Sequence, residues 1–199
     1  MHRKAIRHLR ENDPVLGAVI DRIGPCRLKP QTDLSHFEAV ARAIVYQQLS
    51  GKAAGTIYGR FAGLFPSGRP SADHLLALED DALRAAGLSR PKVKYLRDLA
   101  SRVASNDLPI DGLHELADEE IVGHLTKVKG VGLWTAQMFL LFRLGRPDVL
   151  PDLDLGIQKA VRLAYRLRKR PTPERVRKIG ARWAPFRSVA TWYLWRSID

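Results

Sequence analysis

LTKVKGVGLWTA, residues 125–136, carries the strongest structural signal in this chain. The pattern predicts that one helix ends, that two glycines one residue apart form a tight turn, and that a second helix begins. Gly130 and Gly132 permit positive φ angles and the close approach of another molecule's backbone. Amides at the start of the second helix can bind a phosphate, and Lys127 and Lys129 add positive charge to the turn. Two glycines in this spacing are also typical of a plain turn between helices.

The rest of the chain has helical patterning. From Phe37 onward, apolar residues recur with the spacing of one buried helical face, at Val40, Ala41, Ile44, Val45 and Leu49. The same spacing near the C-terminus involves Phe186, Val189, Ala190, Tyr193 and Leu194. Asp13-Pro14 and Thr172-Pro173 each place a capping residue before a proline at the first helical position. No segment alternates as a strand would, so we predict an all-α protein of about ten short helices.

Residues 146–153, RPDVLPDL, form a predicted loop, because two prolines preclude a regular helix. Asp154 then stands where the next helix should begin. We expect a single domain, residues 1–199, with two helical lobes that meet at this loop. One lobe comprises residues 36–146 with the hairpin, and the other comprises residues 1–35 plus 147–199. A junction of this kind is a favourable place for an active-site cleft.

The composition favours a polyanionic partner. The chain has 33 Lys and Arg against 21 Asp and Glu, a formal net charge of +12. Its single cysteine, Cys26, excludes an internal disulfide, a four-cysteine zinc site and a cysteine-ligated iron–sulfur cluster. The charged N-terminus lacks the apolar core of a signal peptide, and the longest apolar stretch, residues 134–142, is too short to span a bilayer. We predict a cytoplasmic, nucleoid-associated protein in a bacterium or archaeon, and a nuclear one in a eukaryote.

Four ordered motifs resemble one family. Residues 125–136 resemble the helix-hairpin-helix element of base-excision DNA glycosylases, with Lys129 at the position of the usual proline. Asp154 follows Trp134 by twenty positions, as an aspartate does in that family. Residues 43–54, AIVYQQLSGKAA, look like a conserved segment of the AlkA-type 3-methyladenine DNA glycosylases, and the ending at residues 183–195 is similar to the same branch. The chain is therefore identified as a member of the HhH-GPD superfamily, AlkA type, with a two-lobed helical fold.

The resemblance implies hydrolysis of the N-glycosidic bond between a damaged base and deoxyribose, after the nucleotide has been flipped out of the duplex. Asp154 is the implied catalytic carboxylate, which stabilises the cationic sugar and orients or deprotonates the attacking water. A helix N-terminus favours the ionised form of such a group. An aspartate there is also an ordinary N-cap, and Asp152 competes for the role two residues earlier. The D-L-G-I pattern at residues 154–157 favours Asp154 by resemblance.

The resemblance also implies a base pocket lined by Trp134 and Trp195, with Tyr46 and Met138 as weaker candidates. Electron-rich aromatic faces attract a base that carries positive charge, as N-alkylated purines do. Taken without the resemblance, both tryptophans are more typical of the core.

Further implied contacts involve DNA and an ion. The hairpin residues expected at the DNA are Lys127, Lys129, Gly130, Val131, Gly132 and Thr135. Gln48, or alternatively Leu49, is expected to fill the gap left by the flipped nucleotide, although the same segment is typical of a plain helix end with Ser50 capping the next helix. The resemblance further implies a structural Na⁺ or K⁺ ion on the backbone carbonyls of Thr126, Val128 and Val131. No other cofactor is expected.

Trp134 also predicts the subclass. Family members that cleave the DNA backbone commonly use a lysine two residues after the second hairpin glycine, and Trp134 occupies that position. We therefore expect a monofunctional enzyme. We also expect that the protein is a monomer and that its partner is damaged double-stranded DNA and not a membrane. Three alternatives remain open: a glycosylase for oxidised or deaminated bases, a non-catalytic DNA-structure-binding protein and a basic helical adaptor. The lesion is open among 3-methyladenine, 7-methylguanine, ethenoadenine and hypoxanthine.

Overall fold

The computed structural model describes residues 2–199, and all regular structure within that range is helical, without a strand. The α-helices are α1 (Arg3–Asn12), α2 (Pro14–Ile23), α3 (His36–Tyr46), α4 (Gly51–Ala62), α5 (Ala72–Ala77), α6 (Asp80–Ala85), α7 (Arg90–Ala104), α8 (Asp118–Leu125), α9 (Leu133–Met138), α10 (Leu155–Ala164), α11 (Pro173–Gly180) and α12 (Arg187–Arg196). Short 3₁₀ segments occur at Pro66–Gly68, Ile110–Glu115 and Ala181–Trp183, and a π-helical turn at Phe139–Arg143. The predicted all-α class is confirmed.

The chain divides into two compact units. Gln31–Phe139 form the first, which we call the hairpin unit. The residues up to Pro30 together with Leu140–Asp199 form the second, which we call the carboxylate unit. The chain passes between the units a few residues before each of the boundaries expected from the sequence.

The hairpin unit begins with a capping box at the start of α3. Ser35 Oγ accepts a hydrogen bond from the Glu38 amide at 3.1 Å, and the Glu38 carboxylate accepts one from the Ser35 amide at 2.5 Å. The predicted core face of α3 is buried from Phe37 to Val45, but Leu49 is 38% exposed. The expectation for Leu49 was wrong because α3 ends at Tyr46, three residues before it. α7 packs against α3 and α5 and buries Val93, Leu96, Leu99 and Ala100.

The carboxylate unit is built around α12, whose residues 188–194 are all buried. α12 packs against α2 and α10. The two predicted helix starts are confirmed, since the side chains of Asp13 and Thr172 accept hydrogen bonds from the first-turn amides of α2 and α11. Asp13 is fully buried and also accepts from Trp183 Nε1 at 2.8 Å.

The predicted loop at residues 146–153 is confirmed and leads directly into α10. α10 ends at Ala164, because Arg166 takes a φ of +52° and the Leu167 amide donates back to the Arg162 carbonyl at 2.9 Å. None of the described helices is both long and apolar enough to cross a bilayer.

Candidate active site

Asp154 is the N-cap residue of α10. Its Oδ1 accepts a hydrogen bond from the Ile157 amide at 2.8 Å and a second from Trp195 Nε1 at 3.1 Å. The residue is half-buried. Two donors and the N-terminal end of α10 therefore converge on one carboxylate oxygen and fix its position.

The indole of Trp195, near the end of α12, lies beside this carboxylate. Its ring stacks on Phe142 with a centroid distance of 5.8 Å and an interplanar angle of 17°. Both rings are half-buried, so this aromatic pair retains surface that a planar ligand can contact. The structure thus brings together Asp154 and Trp195, two of the predicted site residues, and adds Phe142, which the sequence did not single out.

Gly156 is a second residue that sequence analysis missed. A Cβ atom at this position would lie 3.0 Å from Asp154 Oδ1 and 3.4 Å from Trp195 Cδ1. Any side chain here would push against both groups of the site. The glycine stands two residues after the carboxylate in the D-L-G-I pattern, and that spacing was the available signal.

The loop before Asp154 is fixed to the N-terminal part of α12. Arg187 donates to both carboxylate oxygens of Asp148, from Nε and Nη2, at 2.7 Å each. Burial raises the pKa of Asp148, but hydrogen bonds from Arg187 and its charge outweigh burial, so the pKa lies below its ordinary value. Ser188 Oγ donates to the Arg146 carbonyl at 2.6 Å and accepts from the Val149 amide at 2.9 Å. Because Trp195 is also part of α12, these contacts attach the loop before Asp154 to the same helix that bears the indole.

Asp152, the competing carboxylate, is engaged elsewhere. It is buried, its Oδ2 accepts from Arg177 Nη1, and its backbone carbonyl accepts from Gln158 Nε2 at 2.9 Å. These contacts connect the loop to α11 and α10. Asp152 therefore has a structural role, and Asp154 is the better candidate for chemistry.

The hairpin connects α8 to α9 in the hairpin unit. The Val128 amide donates to the Leu125 carbonyl at 3.1 Å, and the Val131 amide donates to the Val128 carbonyl at 3.0 Å. Gly130 has a φ of +79°, whereas Gly132, the N-cap of α9, has a φ of −96°. Only Gly130 therefore needs the conformational freedom that the sequence suggested for both glycines.

The exposed surface of the hairpin includes Lys127, Lys129, Gly130 and Gly132. The side chains of Val131 and Thr135 are buried and support the hairpin from inside, and contact of these two residues with DNA stays a prediction. The described residues contain no group of His, Cys, Asp and Glu side chains suited to a metal ion. A monovalent ion on the carbonyls of Thr126, Val128 and Val131 stays a prediction.

The three remaining pocket candidates belong to the hairpin unit. Trp134, in the first turn of α9, is 46% exposed, and Met138, one helical turn later, is half-buried. Tyr46 ends α3, and the Arg42 guanidinium lies 4.2 Å from its ring centroid. One face of the Tyr46 ring therefore already holds a cation, which weakens its candidacy for a cationic base.

The turn between α3 and α4 contains the two candidate wedge residues. Gln48 is exposed and has a φ of +59°, a conformation that costs a non-glycine residue about 1 kcal/mol. Leu49 follows it, and Ser50 caps α4 through a hydrogen bond from the Ala53 amide to Ser50 Oγ at 3.4 Å. The predicted cap at Ser50 is confirmed, and it leaves Gln48 at the exposed tip of the turn.

Comparison with known proteins identifies the family to which the chain belongs. Residues 41–186 match the HhH-GPD superfamily of base excision DNA repair proteins. The chain belongs to that superfamily. A curated relative of this HhH-GPD protein, DNA-3-methyladenine glycosylase 1 of Schizosaccharomyces pombe, is 37% identical over 163 residues, which are 81% of this chain and 72% of the relative.

Solved structures agree with that assignment. A 3-methyladenine DNA glycosylase of Schizosaccharomyces pombe, in complex with abasic DNA, has a TM-score of 0.83 and 34% identity, covering 98% of this chain and 96% of that one. A DNA-3-methyladenine glycosidase from Bacillus halodurans has a TM-score of 0.87 and 34% identity, covering 97% and 88% of the two chains. The predicted family and helical fold are confirmed.

Proposed function

We propose that this HhH-GPD protein is a monofunctional DNA glycosylase that hydrolyses the N-glycosidic bond of alkylated bases, of the 3-methyladenine and 7-methylguanine type, in double-stranded DNA. The observation that carries the proposal is the Asp154 carboxylate, bound through Oδ1 by the Ile157 amide and the Trp195 indole. The names of the relatives support the alkylated base as substrate.

Asp154 acts on the sugar in this mechanism. As the bond to the base breaks, positive charge develops on the deoxyribose ring, and a fixed carboxylate beside it lowers the energy of that transition state. The same carboxylate orients the attacking water and accepts its proton. Because both donors to Oδ1 are already in place, little reorganisation accompanies the reaction.

Trp195 is the proposed contact of the flipped base beside Asp154, and Trp134 stays the second contact expected from the sequence. An alkylated purine carries positive charge and is a good leaving group, so stacking on an indole face selects it without detailed hydrogen-bond readout. Phe142 supports the Trp195 ring from its stacked position. Met138 and Tyr46 are secondary contacts, and the guanidinium on Tyr46 makes that ring the weaker of the two.

The hairpin is the proposed phosphate-binding element. Its exposed Gly130 and Gly132 permit close approach of the DNA backbone, and Lys127 and Lys129 supply positive charge. A Na⁺ or K⁺ ion on the hairpin carbonyls would add to that charge. At the turn after α3, Gln48 is the proposed wedge, because its exposed αL conformation places it at the tip.

Base release from defined duplexes tests the function. We expect release of 3-methyladenine and 7-methylguanine from methylated DNA, with ethenoadenine and inosine duplexes as comparison substrates. Because Trp134 stands where a lyase lysine would be, the strand should stay intact until alkali is added, and borohydride should trap no covalent adduct. Strand cleavage without alkali, or a trapped adduct, would contradict the monofunctional assignment. Binding without release of any base would favour a non-catalytic DNA-binding protein.

Trp195→Phe should lower the rate of base release about tenfold, with a change in KM below about threefold. Phenylalanine preserves a ring for stacking on Phe142 but removes the N–H that holds Asp154 Oδ1, a hydrogen bond to a charged group. Steady-state kinetics on a methylated duplex measure the effect. Trp192→Phe, on the same helix, is the matched control, because it should alter melting but not turnover. Equal turnover in wild type and Trp195→Phe would remove this hydrogen bond from the mechanism.

A further inference from the structure

One face of α7 contacts both exposed turns of the hairpin unit. Lys92, Tyr95 and Asp98 follow one another at intervals of three residues and are all half-buried. We call these three residues the α7 face. Lys92 contacts the turn between α3 and α4, whereas Tyr95 and Asp98 contact the hairpin between α8 and α9.

Lys92 holds the end of α3. Its Nζ donates to the Val45 carbonyl at 2.6 Å and to the Gln47 carbonyl at 2.8 Å. These carbonyls belong to the negative end of the helix dipole, where a cation is favourable. Burial lowers the pKa of Lys92, so the ammonium group has given up part of its hydration to occupy this place. A lysine with no structural task would stay in solvent.

Asp98 and Tyr95 hold the hairpin. Asp98 Oδ2 accepts from the Lys129 amide at 2.9 Å and from Arg102 Nε at 3.0 Å. Burial raises the pKa of Asp98, but these hydrogen bonds and the charges of Arg102 and Lys129 outweigh it, and the pKa lies below its ordinary value. The Tyr95 ring lies so close to Gly130 that a Cβ there would be 2.2 Å from Tyr95 Cδ2.

A direct hydrogen bond joins the two turns. Gln47 Nε2 donates to the Gly130 carbonyl at 2.8 Å, across 83 positions of sequence. Gln47 is therefore bound twice, through its carbonyl by Lys92 and through its side chain by the hairpin. Gln48, the next residue, takes its unusual φ angle directly after this fixed point.

We infer that the α7 face is a positioning device that holds the Gln48 turn and the hairpin in one register, so that a phosphate bound at the hairpin brings the wedge to the correct base step. Lys92 is the positioning residue for the wedge, and Asp98 is the one for the hairpin. The inference rests on the proposed glycosylase function. It assigns Lys92 no contact with the base or the sugar, so its loss impairs base flipping and not bond cleavage.

Lys92→Met tests this separation with two substrates. On a fully paired duplex, base release by the variant should fall about tenfold relative to wild type. On a duplex whose target base lies opposite an abasic-site analogue, and so is unpaired, the loss should stay below about threefold, because flipping then needs little help. Lys94→Met is the matched control, since Lys94 is exposed on the same helix and its loss removes the same charge. Lys92→Arg should restore part of the activity, because a guanidinium can donate to both carbonyls.

Hydrogen exchange provides a readout that needs no activity. Peptides covering residues 44–50 should exchange faster in Lys92→Met than in wild type or Lys94→Met. If Lys92→Met does not fold, Gln47→Met can replace it, because this variant removes the direct hydrogen bond between the turns. Its base release should also fall more on the paired duplex than on the unpaired one, by a smaller factor. If the wild-type protein released no base, the proposed function would be overturned. Hydrogen exchange in residues 44–50 would still test whether the α7 face holds the turn. An equal loss on paired and unpaired substrates, or unchanged exchange in residues 44–50, would overturn the inference.

Discussion

Asp154→Asn should lower base release by about 10²–10³-fold while leaving the fold and DNA binding nearly intact. The substitution removes the negative charge that stabilises the cationic sugar, and loss of one such electrostatic contact typically costs that factor. Asparagine is as good an N-cap as aspartate, and its carbonyl oxygen can still accept from the Ile157 amide and the Trp195 indole. Single-turnover kinetics on a methylated duplex measure the loss in the rate of base release. Binding to a duplex with an abasic-site analogue measures the DNA affinity that the variant retains.

Asp152→Asn is the matched control, because it removes the same charge two residues earlier. Asp152 is buried against Arg177, so this variant should lose about 1.5 kcal/mol of unfolding free energy. Its rate of base release, measured where the protein is fully folded, should stay within about fivefold of wild type. If Asp152→Asn abolished release and Asp154→Asn did not, the roles of the two carboxylates would have to be exchanged.

Local chemistry explains why much of this fold could be predicted. The core face of α3, the caps at Asp13 and Thr172, and the start of α10 at Asp154 all depend on residues within one or two helical turns. The same locality explains the failure at Leu49. Its spacing continues the apolar pattern of α3, but the chain leaves the helix at Gln47 and Gln48.

The contacts that complete the site are long-range and have no local signature. The Trp195 indole reaches Asp154 across 41 positions, and Lys92 reaches the Val45 carbonyl across 47. In sequence, Lys92 is one of several basic residues at the start of a helix and nothing distinguishes it from Lys94. Gly156 is the exception, because a glycine two residues after a capping aspartate signals that something approaches the helix start closely.

The two hairpin glycines also could not be told apart from the sequence, although only Gly130 has a positive φ in the structure. Gly130→Ala should lower the unfolding free energy by roughly 2–4 kcal/mol and weaken DNA binding by more than about tenfold. The positive φ of +79° costs an alanine about 1 kcal/mol, and the new Cβ would overlap the Tyr95 ring, which adds about 1–3 kcal/mol. Chemical denaturation and binding to an abasic-analogue duplex measure the two effects.

Gly132→Ala separates the two glycines. A Cβ at Gly132 meets no protein atom within 4 Å, and its φ of −96° suits any residue, so the unfolding free energy should fall by no more than about 1 kcal/mol, the usual cost of alanine at an N-cap. A double-mutant cycle then divides the Gly130 effect into its parts. If the overlap with Tyr95 contributes, Gly130→Ala should cost less in a Tyr95→Ala background than in wild type. An equal cost in both backgrounds would assign the whole effect to the backbone angle, and the Tyr95 ring would then have no part in holding the hairpin.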